Sequence, residues 1–380
     1  MENENITEME SRVPQTTGRD ASSRRTVPYV PAVIALLLLV WVASPAAAQE
    51  DDPPFSAGYR IVDVRMKDKT VTAGVWYPAE EDEKACAYGS EESANRGRVA
   101  EQAPVSDERK RYPFLCYSHG FGGSGLGSTF MAEPLARQGW IVVAPDHHDP
   151  VNVTRIRGGR QPGTGWKFIQ AVRNVVSGEF DFEKYAYRGR ELRAVLDHVL
   201  KEEPFGDRID RSKMAVGGHS FGGYTALRVC GALGDGYDPA FQAFLLHSPG
   251  IWMYEKKQFR RIDAPVLYML GQNEASTNRL DRTKKEWSTF ALESMRGPGY
   301  YVELKDGNHF SFNTGQRDNW LSRRLSGTDE EHAAIRRFST AFLDYHVLGE
   351  EDRLDDLSAD DAARSAFTVY PRPGAERTEN

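Results

Sequence analysis

From about Tyr59 onward, short apolar runs rich in β-branched and aromatic residues alternate with longer stretches of helical spacing, and this alternation limits the fold more than any other feature. Strands that recur with a helix between them pair in parallel, and a parallel sheet buries both of its faces. The pattern predicts a half-alternating strand over 71–77 and fully buried strands over 114–117 and 140–144, with a crossover helix over 130–138 between the last two. Further on, Leu192, Val195, Leu196 and Val199 share one face of a helix over 187–200, followed by a strand over 213–216 and a helix over 222–232. Three more strands follow at 241–246, 265–270 and 300–304, with a helical stretch over 287–295 before the last. A final helix over 331–348 lines up Ile335, Phe338, Phe342 and Tyr345. The expected class is α/β, a mostly parallel central sheet with helices on both faces.

The ends of the chain read differently. A polar opening ends in Arg24-Arg25, an apolar run covers 32–43, and Ala46-Ala47-Ala48 precedes Gln49. Charged, apolar and small-residue regions in that order make a signal peptide over 1–48, and the apolar run is too short to span a bilayer comfortably. An exported protein, periplasmic or secreted, is therefore expected, with no membrane span after cleavage. The arginine pair leaves the export route open. Residues 49–350 form one expected domain, in which the Gly- and Arg-rich segment 150–184 is an insertion near the site. Residues 351–380, acidic and then Pro- and Glu-containing, read as a loosely held tail.

With 48 Lys and Arg against 55 Asp and Glu, the formal net charge of −7 gives no reason to expect a nucleic acid or an anionic membrane as partner. Cys86, Cys116 and Cys230 form an odd set without CxxC spacing, so they suggest neither a zinc site nor a disulfide framework. Cys116 and Cys230 sit in apolar stretches and read as core residues, while a bridge to Cys86 stays open.

The chemistry centres on Gly218-His219-Ser220-Phe221-Gly222, at the junction of a predicted strand and a predicted helix. A sharp strand-to-helix turn projects a serine hydroxyl above the sheet, and glycines two residues either side let neighbouring backbone approach. Such a serine needs a base, which should follow the last strands. His309, in Asp306-Gly307-Asn308-His309-Phe310, lies there, whereas His332 and His346 read as ordinary residues of the terminal helix. The third member is a carboxylate between them at the end of a strand, and Glu274 in Gly271-Gln272-Asn273-Glu274 meets that condition. Asp263 stands at the wrong end of its strand, and Asp306 is too close to His309 in sequence for easy pairing. A developing oxyanion requires two preset backbone donors, here the amides of Phe221 and of Phe121 in Ser118-His119-Gly120-Phe121-Gly122-Gly123. Asp146-His147-His148-Asp149 has metal-ligand residue types. Four adjacent residues on one loop rarely converge on one ion, so they read as solvated or pocket-rim residues and no metal or cofactor is implied.

These motifs, with the strand end Val75-Trp76-Tyr77-Pro78, resemble the α/β hydrolases related to platelet-activating-factor acetylhydrolase, dienelactone hydrolase and the cutinase-like polyester hydrolases, over about 59–348. The resemblance implies an α/β-hydrolase fold with Ser220 as nucleophile, His309 as base, and Phe121 and Phe221 as oxyanion donors. The acid position of the acetylhydrolases holds His247-Ser248 here, so Glu274 matches the dienelactone-hydrolase and cutinase-like arrangement, with Glu where Asp is usual. Ser248-Pro249-Gly250-Ile251-Trp252 is similar to the segment in which a tryptophan walls the acyl site, which makes Trp252 a substrate-binding candidate or a core residue. The expected activity is serine-dependent hydrolysis of a carboxylic ester, a short-chain acyl lipid or a small or aromatic ester, rising with pH between about 6 and 8 as the base loses its charge. A peptidase or thioesterase would use the same residues, and a binding protein on this scaffold is the non-catalytic alternative.

Overall fold

A computed structural model of the chain describes residues 53–91, 93–150, 155–158, 180–234, 241–315, 324–371 and 378–379, all within the compact unit Asp51–Asn380. The export leader expected over 1–48 and most of the insertion expected over 150–184 lie outside the described residues. Among the described residues, no helix is long and apolar enough to cross a membrane.

The unit opens with a ribbon of β1 (Ser56–Arg65) and β2 (Thr70–Ala79), followed by the short pair β3 (Lys84–Ala87) and β4 (Arg96–Glu101). Next come β5 (Tyr112–Ser118), α1 (Thr129–Arg137), β6 (Ile141–Pro145), α2 (Ala186–Val199), β7 (Ile209–His219), α3 (Phe221–Val229) and β8 (Ala243–His247). They are followed by α4 (Lys256–Phe259), β9 (Val266–Gly271), α5 (Gln272–Ala275), a small ribbon of β10 (Asn278–Arg279) and β11 (Arg282–Thr283), α6 (Lys284–Ser294) and β12 (Gly299–Leu304). The chain closes with α7 (Asp329–Leu343), α8 (Arg353–Ser358), β13 (Arg364–Tyr370) and β14 (Thr378–Glu379).

The main sheet runs β14-β13-β12-β9-β8-β7-β5-β6-β2-β1-β4-β3. From β12 through β6 every pairing is parallel, with antiparallel strands at both margins. Alternation along each strand sorts its side chains into two cores. Phe114, Cys116, Val143, Val216, Leu246 and Tyr268 face α2, α3 and α6, whereas Leu115, Val142, Ala215, Leu245, Leu267 and Met269 face α1 and α7. A two-residue side-chain period is what lets one buried strand feed both layers.

The C-terminal segment departs from the expected loose tail. β13 pairs antiparallel with β12 over its whole length, and Phe367 and Tyr370 are buried. Seven residues behind an acidic stretch carry little periodic signal of their own; β12 supplies an open edge that their backbone completes. No disulfide joins Cys86, Cys116 and Cys230; Cys116 lies wholly in the core and the Cys86 thiol donates to Glu101.

Candidate active site

Strand β7 ends at His219 and α3 begins at Phe221, so Ser220 alone makes the turn, with φ of 54° and ψ of −119°. This is a backbone region that non-glycine residues avoid, and it is held by packing on both sides. The Ser220 amide donates to the His247 carbonyl at 3.0 Å, and the Gly250 amide donates to the Ser220 carbonyl at 2.7 Å. A Cβ on Gly222 would run into the Ser118 carbonyl, and one on Gly218 into the backbone of Gly222. The expected result for Gly222→Ala is therefore a loss of at least about 1–3 kcal/mol of stability, measured by urea unfolding. An unchanged midpoint with unchanged slope would contradict this close approach.

His309 lies in the loop after β12, and its Nε2 is 3.0 Å from Ser220 Oγ. His219, between the two, donates from Nε2 to the His309 carbonyl at 2.8 Å and so fixes the loop from beneath. Burial holds His219 well below the ordinary imidazole range, keeping it neutral in that role. Glu274 sits in α5 directly after β9, where the Gly271 amide donates to its Oε1 at 3.1 Å. Its Oε2 is 3.2 Å from His309 Nδ1. The three residues expected from the sequence thus meet at the C-terminal ends of β7, β9 and β12, the edge at which ligands bind in open α/β sheets. Asp263 lies elsewhere, exposed beside Arg296 at 3.6 Å. Asp306 is exposed in the turn before His309, and its carbonyl accepts from the Asn273 side chain at 2.7 Å.

Two further residues, neither expected from the sequence to take part, enter this relay. Ser248 Oγ accepts from His309 Nδ1 at 2.6 Å and donates to Glu274 Oε2 at 2.8 Å, so a hydroxyl bridges acid and imidazole. Lys284, the first residue of α6, is buried and ion-paired with Glu274, and its Nζ is 3.3 Å from His309 Nδ1. A capping box of Thr283 and Glu286 sets where α6 starts and hence where Lys284 points. Burial disfavours charge on Glu274, but hydrogen bonding to His309 and the adjacent Lys284 outweigh it and hold the carboxyl far below its usual range. His309 is pushed below the ordinary histidine value by burial, helped by the nearby Lys284 and Arg279 cations and opposed by Glu274. His247, beside Ser248, is enclosed between Tyr117 and Ser339, and burial lowers it to about 3.

Phe121 and Phe221 face each other edge to face, ring centroids 5.7 Å apart, and bring the loop after β5 against the start of α3. A fully buried arginine ties the two together. The Arg188 guanidinium donates to the His119 carbonyl at 2.7 Å and lies 5.0 Å from the centre of the Phe221 ring. Asp149 pairs with Arg188 at 3.4 Å and accepts from the Gly122 amide at 2.6 Å. Asp146 accepts from Ser124 and from the Gly125 amide, while His147 spans Ser118 and Glu191 at 2.9 and 3.0 Å. Asp146-His147-His148-Asp149 is therefore not a solvated rim: all but His148 are buried, and together they clamp the loop that carries Phe121. The physical reason is long-range, since Glu191 and Arg188 on α2 supply the partners that make burial of these groups tolerable. Trp252 is half-buried with its ring edge over Gly250, next to the Ser220 turn, and Arg279 lies 5.8 Å from its ring centre.

A sequence model of the family described as PET hydrolase-like matches residues 110–327. Platelet-activating factor acetylhydrolase of Canis lupus familiaris is 25% identical over 268 residues, which is 63% of this chain and 58% of that protein. Cutinase est2 of Thermobifida alba is 24% identical over 208 residues, 54% of this chain and 55% of that one. This chain thus spans just under three fifths of these curated relatives. Among solved structures, a ferulic acid esterase from Streptomyces cinnamoneus superposes with a TM-score of 0.63 at 20% identity, covering 85% of this chain and 98% of that one, and so shares the fold. The matched family covers more than half of the chain and includes the turn at Ser220, the acid after β9 and the histidine after β12. The chain belongs to the PET hydrolase-like family and has the α/β-hydrolase fold.

Proposed function

We propose that this protein hydrolyses carboxylic esters through an acyl-enzyme on Ser220. The observation that carries the proposal is the unbroken relay from Ser220 Oγ to His309 at 3.0 Å and from His309 to Glu274 at 3.2 Å, on a strained turn. Ser220 Oγ attacks the ester carbonyl carbon as its proton passes to His309 Nε2. The oxyanion is received by the amides of Phe121 and Phe221, the second of which opens α3. Collapse expels the alcohol, which takes the proton from His309, and water then repeats the sequence on the acyl-enzyme. Glu274 and the Ser248 hydroxyl hold the imidazole tautomer and stabilise the imidazolium. Trp252 walls the acyl group, and the substrate is a short-chain acyl lipid or a small or aromatic ester. The relatives that bear the names acetylhydrolase, cutinase and ferulic acid esterase support an ester as the scissile bond. The reading includes export, supported by the order of charged, apolar and small residues over 1–48. A panel of 4-nitrophenyl esters of graded acyl length, run beside a thioester and a peptide anilide, tests the bond class; fastest turnover of the anilide overturns it.

The pH dependence follows from the displaced histidine. Neutral His309 is the active base, and its value lies below the ordinary 6.5, chiefly through burial. Activity is thus full above that value and is lost as pH falls through the lowered one, so the acid limb of kcat/KM has its midpoint below pH 6.5. This is more acidic than the sequence-based expectation of a rise between about 6 and 8. A midpoint at neutral pH or above would contradict it.

A further inference from the structure

We propose that Arg279 is an anion-recognition residue at the mouth of the site, and that the preferred ester carries an anionic oxyacid group, carboxylate or phosphate, on the part that lies against Trp252. The proposal rests on the ester reading above and adds the charge of the substrate to it.

Arg279 sits in the ribbon between Glu274 and Lys284, and that ribbon is anchored where the Trp287 indole donates to the Arg279 carbonyl at 2.8 Å. Its guanidinium lies 5.8 Å from the centre of the Trp252 ring, close enough to His309 and Lys284 for its charge to act on both. No carboxylate lies within ion-pair distance of it among the described residues. Its hydrogen bond there runs from Nη1 to the adjacent Asn278 carbonyl at 3.1 Å, and Nε is buried without a partner. The neighbouring cations are already matched. Lys284 pairs with Glu274, and Arg282 with Asp281 at 3.6 Å. One positive charge is therefore left over beside Trp252, with the side-on edge of its guanidinium, Nε and Nη2, unused by protein acceptors. That edge is the one on which arginine receives a planar carboxylate or a phosphate through two parallel hydrogen bonds. Its guanidinium lies within cation–π range of the Trp252 ring, which favours this placement of the side chain.

The test uses three esters with a common leaving group: 4-nitrophenyl hexanoate as the neutral reference, the mono-4-nitrophenyl ester of adipic acid, and the 4-nitrophenyl ester of 6-phosphooxyhexanoic acid. The quantity read is the ratio of kcat/KM for each anionic ester to that for hexanoate, at a pH where His309 is neutral throughout. The parent protein should favour at least one anionic ester. Arg279→Gln should lower that ratio by about 10- to 100-fold, the factor expected for loss of a hydrogen bond to a charged group. Arg279→Lys, which keeps the charge without the fork, should fall between the two. The anionic ester with the larger drop identifies carboxylate or phosphate. A ratio that is the same in the parent and in Arg279→Gln, with hexanoate still hydrolysed, overturns the assignment of Arg279 and leaves the ester reading intact. No turnover of any of the three esters by the parent overturns both.

Discussion

Ser220→Ala and His309→Ala should each lower kcat by about 10⁴-fold or more on any ester the protein accepts, with the double variant losing little beyond either single one. In the proposed mechanism nucleophile and base act on one proton, so removing either disables the same step. The geometry makes this sharp. Ser220 Oγ has His309 Nε2 as its partner at 3.0 Å, and the other imidazole nitrogen is committed to Ser248 and Glu274. A fluorophosphonate should label the parent at Ser220 and leave Ser220→Ala unlabelled, as read by peptide mapping. Labelling at another residue, or losses that add in the double variant, would show that the two residues do not share a mechanism. Both variants should fold. Ser220→Ala removes only the hydroxyl, and the turn is held by the amides of Ser220 and Gly250 rather than by the serine side chain.

Glu274→Gln should lower kcat by about 10² to 10⁴-fold, because an amide can present the wrong tautomer to His309 and cannot support the imidazolium. The buried Lys284 adds a second effect that the sequence did not foreshadow. With Glu274 neutral, the ammonium near His309 Nδ1 loses its counter-charge while still repelling a proton on the imidazole. Breaking a buried pair from one side costs about 3–5 kcal/mol, so Glu274→Gln should also unfold at lower denaturant. Adding Lys284→Met should return much of that stability without returning the activity. If the double variant regains near-parent kcat, Glu274 acts only as a structural counter-ion and another group supports the histidine. Asp263→Asn and Asp306→Asn should stay close to the parent in kcat, since the first is paired with Arg296 at the surface and the second contributes its carbonyl, not its carboxylate.

The parallel sheet and its crossover helices were legible because strand and helix periods are local, and a buried parallel strand reads as an apolar run wherever it stands. The Ser220 turn was equally local. Its GxSxG pattern is contiguous in the chain, although the space that Gly222 must leave open is set by the Ser118 carbonyl on the neighbouring strand β5. His309 and Glu274 followed from chain order, since each lies just past a strand whose C-terminal end opens onto the same edge of the sheet. What remained out of reach had partners distant in sequence. His147 finds Glu191 44 residues away, and without that partner an Asp-His-His-Asp loop has the composition of a solvated surface. Ser248 stands at the acid position of the acetylhydrolases without a carboxylate, and Lys284 has no pattern of its own; they join the relay because β8 lies beside β9 and because a helix cap starts α6 there.

The sequence by itself determined the class of fold, the strand-to-helix turn at Ser220 and the order of the three relay residues, each set by periodicity, turn geometry or chain order. Tertiary structure alone decided that acid and histidine are bridged by a serine and flanked by a buried lysine. It also decided that the loop bearing Phe121 is clamped by a buried Arg188–Asp149 pair, and that the C-terminal residues complete the sheet edge. The reason is the same in each case: a polar side chain can be buried only where another strand or helix brings its partner, and a local pattern carries no information about which one will.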